Sequence, residues 1–194
     1  MRNAARLLST LGHPLVAGAL FLGMVLARLY DRIDAAARGA ALLLALLAPI
    51  AMWIQWQVRR GRYSDFDVSR QADRFSMYPV IVGLLTMATL TMVLTHQPSQ
   101  FSMGMGAVCA MTLISFLANR WIKISLHASY GFFFALVSVK LSPAWLAPAL
   151  LLATLVAWSR LYLRRHQWSE VVCGAVLGVA TAMVLLALAG LVPL

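Results

Sequence analysis

Twelve residues, Ser159 to Glu170, lie between two apolar runs and read SRLYLRRHQWSE. They hold three arginines, a histidine and the sole glutamate of the chain. Arginine presents a planar fork of donors that matches phosphate oxygens, which lysine only approximates as a point charge. A carboxylate that accepts from one ring nitrogen of a histidine fixes its tautomer and stabilises its cation. Cations around a phosphate and an oriented histidine are the parts of phosphoryl transfer, whose catalysis is mostly positioning and positive charge.

Two further polar stretches carry similar groups. The first is Asp65 to Arg74, DFDVSRQADR, and the second is Arg120 to His127, RWIKISLH. The remaining polar residues have structural readings. His13 and His96 read as solvated juxtamembrane residues, and Asp65, Asp67 and Asp73 as loop or cap residues. Arg164 and Arg165 read as lipid-headgroup contacts, and Arg59, Arg60 and Arg62 as a topology signal. Cys109 and Cys173 follow no metal or disulfide spacing. No His/Asp/Glu cluster has ligand spacing, so neither a metal nor another cofactor is expected.

The spacing Ser159-Arg160-x5-His166-x3-Glu170 resembles the third signature of the type 2 phosphatidic acid phosphatase superfamily, with glutamate where aspartate is usual. Ser125-Leu126-His127 matches the Ser-Gly-His core of its second signature, with Ile124 at the proline and Leu126 at the glycine. Its Lys-x-Ser-x-His form looks like a variant of small bacterial members. In the first signature, Lys-x6-Arg-Pro, Arg74 holds the arginine, Phe75 replaces the proline and Asp67 the lysine. Arg70, one helical turn before Arg74, or Lys123 is the candidate substitute cation. The resemblance runs from about Asp65 to Gly178. It implies His166 as the nucleophile, His127 as the acid and base, and Glu170 as the partner of His166. Arg70, Arg74, Lys123, Ser125 and Arg160 would bind phosphate.

Composition sets where such a site must sit. With 62% hydrophobic and 11% charged residues, the 194-residue chain has too little polar surface for a soluble domain. Its net charge of +10 falls in short blocks between apolar runs, the habit of a polytopic membrane protein and not of a nucleic-acid binder. Arg2 and Arg6 precede an apolar run without a small-x-small site, so an uncleaved first helix is expected.

Seven apolar segments follow: Pro14–Ala27, Gly39–Val58, Pro79–Thr95, Phe101–Ala118, Leu126–Leu141, Ala144–Trp158 and Val171–Leu191. Backbone groups in lipid must be satisfied internally, so these are helices. The expectation is one all-α domain over residues 1–194, a transmembrane bundle of six to seven spans. Pro49 and Pro148 should kink their spans or interrupt hydrogen bonding. Gly104 to Gly106 and Gly174 to Gly178 should permit close helix contact.

Seven crossings would place the three polar stretches on one face, with Arg2, Arg6 and most other cations. Arg28, Arg32, Arg38 and Lys140 would lie opposite, so the positive-inside rule points to a cytoplasmic site. The expectation is an enzyme of a bacterial inner membrane that acts on an amphiphilic lipid phosphate: a polyprenyl diphosphate, phosphatidate or phosphatidylglycerol phosphate. A phosphotransferase of the same fold and a non-catalytic anionic-lipid binder are the alternatives. No charge lies mid-span as a transporter would require.

Overall fold

The computed structural model describes residues 1–191, and among these every regular element is helical. In chain order the α-helices are α1 (Arg2–Leu11), α2 (Pro14–Leu29), α3 (Arg32–Leu42), α4 (Ala48–Arg59) and α5 (Gln71–Leu94). They continue with α6 (Ser99–Ala118), α7 (Leu126–Val137), α8 (Leu146–Tyr162) and α9 (Trp168–Leu191).

Five helical stretches are long and apolar enough to cross a bilayer: Arg32–Arg59, Gln71–Leu94, Ser99–Ala118, Pro143–Tyr162 and Trp168–Gly190. α1 and α2 pass the same test as a pair bent by 51°, which makes six. At most 28% of any of the five apolar windows is buried within the protein. Most of that surface therefore faces outward and needs hydrocarbon around it. The chain is an integral membrane protein.

Of the seven apolar segments, Pro14–Ala27 reaches span length only within the bent α1–α2 pair, and Leu126–Leu141 yields no span-length helix at all. α7 has 12 residues, a rise of about 18 Å against about 30 Å of hydrocarbon. It begins among the buried polar residues Ser125, His127 and Ser129 and ends in a 3₁₀ turn at Ser138–Lys140.

The prolines divide by position. A π-helical segment, Leu43–Leu47, precedes Pro49, and the Ala48 amide reaches back to the Leu43 carbonyl. This widening accommodates a ring that would otherwise meet the carbonyl one turn earlier. Pro148 does not kink its span, because it lies in the first turn of α8, where the amide needs no helical partner. Pro79 does not open its helix. α5 begins eight residues earlier, at Gln71, and Pro79 is interior.

The chain divides into two compact units. The first comprises Met1–Pro49 and Ile124–Val179. Its centre is the α7–α8 hairpin, with α1 against α8 and α2 against α3 and α7. Close approach here requires glycine. A Cβ on Gly12 would collide with the Val156 side chain, and one on Gly178 with the Ser129 carbonyl.

The second unit comprises Ile50–Lys123 and the described chain from Ala180 onward. The α5–α6 hairpin dominates it. Its open end is closed by a reciprocal amide pair. Gln71 Nε2 donates to the Asn119 carbonyl at 2.6 Å, and Asn119 Nδ2 to the Gln71 carbonyl at 3.1 Å. Gly104 and Gly106 make no glycine-dependent contact within the unit: a Cβ on Gly104 meets nothing within 4 Å, and one on Gly106 only Thr89 at 3.6 Å.

Candidate active site

In the first unit, the end of α8 brings Arg160 and His166 together through the main chain. The Arg164 amide donates to the Leu161 carbonyl at 2.9 Å, and the Arg165 amide to the Arg160 carbonyl at 3.0 Å. Arg164 has φ +54°. These are the paired bonds of a Schellman cap, with an arginine in the left-handed position that usually belongs to glycine. The His166 amide also approaches the Arg160 carbonyl, at 3.3 Å. The five residues between Arg160 and His166 are the length of this cap.

Both side chains are buried, Arg160 at 0% exposure and His166 at 6%. Arg160 Nη1 donates to Ser9 Oγ of α1. His166 Nδ1 lies 2.7 Å from Glu170 Oε2. An ionised carboxylate only accepts, so Nδ1 carries a proton, and in the neutral ring Nε2 keeps its lone pair. Nε2 is itself a buried atom.

Glu170 is oriented by the helix it opens. It lies in the first turn of α9, and its Oε2 also accepts from the Gln167 amide at 3.2 Å, one half of a capping box. The α9 dipole favours a carboxylate there. The methylene that distinguishes glutamate from aspartate is accommodated, since one oxygen reaches both the ring and the amide.

The second polar stretch is fastened to the third. The Ser125 amide donates to the Glu170 carbonyl at 3.0 Å. A Cβ on Gly174 would sit 2.6 Å from the Ser125 carbonyl. The expected close contact at Gly174 and Gly178 is therefore between α9 and the start of α7. Ser125 is the N-cap of α7 but makes no side-chain cap, and its buried Oγ has no hydrogen-bond partner among the described residues. The first-turn amides of α7 and the positive end of its dipole accompany that hydroxyl, an arrangement suited to an anion.

His127 is 3% exposed in the same first turn. Its ring meets that of His13 edge to face, with centroids 5.3 Å apart and planes at 89°. His13 is thus more than a solvated residue. It caps α2, with Nδ1 accepting from the Leu15 amide at 3.3 Å. Sequence spacing gives Ser9 no role and His13 only a solvated one; α1 and the start of α2 carry them, and no local spacing marks either.

In the second unit, Arg74 is 2% exposed and its Nε donates to the Val68 carbonyl at 2.9 Å. Val68 is buried with φ +47°, strained backbone for a β-branched residue. Asp65 holds the loop as a cap residue, with Oδ1 accepting from the Ser69 amide and hydroxyl. Lys123 Nζ donates to the Ser69 carbonyl at 3.2 Å, so it reaches the first polar stretch. Arg70 does not share a helix face with Arg74. It precedes α5 with extended backbone and is exposed.

Residues 115–191 match the family model described as PAP2 superfamily. The matched segment contains Lys123, Ser125, His127, Arg160, His166 and Glu170, whereas Arg70 and Arg74 precede it. No curated protein and no solved structure gives a match.

Proposed function

We propose that this chain, which belongs to the PAP2 superfamily, removes the terminal phosphate from a lipid phosphate or diphosphate through a phosphohistidine. Membership supports a phosphatase-type enzyme in a membrane. The observation that carries the mechanism is the 2.7 Å contact between His166 Nδ1 and Glu170 Oε2, which leaves the Nε2 lone pair for phosphorus.

In the first step Nε2 attacks phosphorus, and the bond from phosphorus to the lipid oxygen breaks. His127, as imidazolium, gives that oxygen its proton. In the second step neutral His127 takes a proton from water, whose oxygen attacks the phosphohistidine. Inorganic phosphate leaves and His166 is restored. Glu170 stabilises the cationic ring between the steps.

Arg160, Ser125 Oγ and the first-turn amides of α7 are the proposed oxyanion donors of the first unit. Arg74 is assigned a phosphate-binding role by the family resemblance alone, and Lys123 or, as an exposed alternative, Arg70 is proposed to replace the signature lysine that Asp67 displaces. The test is phosphate release by purified protein from a panel of polyprenyl diphosphate, phosphatidate and phosphatidylglycerol phosphate. Release from none of them, by folded protein in detergent or vesicles, overturns the reading. Label appearing on a second acceptor instead of in free phosphate would identify a transferase.

A further inference from the structure

An apolar cleft of about 160 Å³ opens in the first unit between α2, α7 and α8. Phe21, Phe134, Ala149 and Leu152 are among the side chains that line it. The one hydroxyl in the lining, Ser138 Oγ, already donates to the Ala135 carbonyl at 2.7 Å. The lining therefore offers an entering ligand almost no unsatisfied polar group.

Its position is the informative part. Gly12 lines the cleft three residues after Ser9, the partner of Arg160. Val156 lines it one turn before Arg160, and Gly131 one turn after His127. Three elements thus carry a polar site residue within one turn of the cleft wall. From there the lining runs the same way on both helices of the hairpin: from Gly131 to Ser138 after α7, and from Val156 back to Trp145 before α8. On α8 that is about 16 Å of helix.

We propose that this cleft holds the apolar chain of the substrate, one chain only, while the phosphate lies at Arg160 and His166. The proposal rests on the lipid-phosphate reading above and adds where the chain runs and how many fit. The shape decides the number. A dry cavity of about 150 Å³ accepts one benzene-sized group. A similar volume encloses a stretch of about six carbons, so the cleft has room for part of one alkyl or prenyl chain and none for a second beside it. The chemistry decides the class, because a buried guanidinium one helical turn beyond the lining of an apolar slot is complementary to an anionic head on an apolar tail.

Two measurements test it. In the first, Ala149→Phe and Ala17→Phe fill the slot from facing helices, each variant checked for a wild-type melting curve. The ratio of kcat/KM for hexadecyl phosphate to that for phenyl phosphate is expected to fall about tenfold, the worth of about two buried methylene groups. An unchanged ratio in both folded variants overturns the proposal. In the second, hexadecyl phosphate with a diazirine at the chain end is photolysed with wild-type protein. Labelling is expected between Ala17 and Met24 or between Trp145 and Leu152, displaced by hexadecyl phosphate and not by hexadecanol. Equal displacement by the alcohol means ordinary boundary lipid and overturns the proposal. The labelling needs no turnover, so protein that labels as expected but releases no phosphate would sink the hydrolase reading and keep the slot.

Discussion

Ser125 and Glu170 meet backbone to backbone, the amide of one donating to the carbonyl of the other at 3.0 Å. The bond joins the N-cap of α7 to the first turn of α9. His127 follows two residues after the donor, and His166 is held by the side chain of the acceptor residue. Two helix N-termini and the end of α8 are thereby held in register.

His166→Ala is expected to abolish turnover while the protein remains folded. Glu170→Gln should retain activity reduced by about 10²–10⁴-fold, since its amide oxygen still accepts but no longer stabilises the ring cation. Rapid-quench trapping of acid-labile phosphoprotein would check both. Wild-type rates in folded His166→Ala would rule out the covalent route.

The glycines give a stability test with an internal control. Gly178→Ala places a Cβ against the Ser129 carbonyl, a backbone atom that cannot turn aside, and should cost about 1–3 kcal/mol. Gly104→Ala meets nothing within 4 Å and should be neutral or stabilising by about 0.5–1 kcal/mol through helix propensity. Thermal unfolding in one detergent compares them, and equal effects would contradict the packing described.

The left-handed Arg164 supplies a third. Arg164→Gly removes the steric penalty of a Cβ in that region, roughly 1–2 kcal/mol, and should raise the melting temperature. Arg164→Val should lower it. If Arg164→Gly melts below wild type, the arginine side chain stabilises the cap by contacts that outweigh the strain.

Because guanidinium and amide groups are the proposed electrophiles, hydrolysis should continue in excess EDTA and be inhibited by vanadate. Loss of activity in chelator, with recovery on adding magnesium or zinc, would reassign the charge stabilisation to a metal.

The spans are legible in the sequence because their apolar runs leave no soluble alternative. So is the pairing of His166 with Glu170, because a cap and one helical turn set both positions from local spacing. Arg70 shows where local reasoning fails. Sharing a face with Arg74 requires a helix across both, and α5 starts only after Arg70, its first polar turns hidden behind Pro79. Ser9 lies 151 residues from Arg160, and His13 meets His127 only through the packing of α2 on α7. Contacts closed by tertiary packing leave no mark in spacing.

The Schellman cap after α8 has an evolutionary consequence. Because main-chain bonds join Arg160 to Arg165 and His166, the distance between cation and nucleophile is a matter of residue count. Side chains at Tyr162, Arg164 and Arg165 are exposed, and only Arg164, with φ +54°, is restricted by its backbone conformation. Adding or removing a single residue there would rotate the histidine away from its carboxylate. The segment is therefore expected to tolerate substitution better than insertion or deletion, because the main-chain bonds depend on residue count and not on side-chain identity.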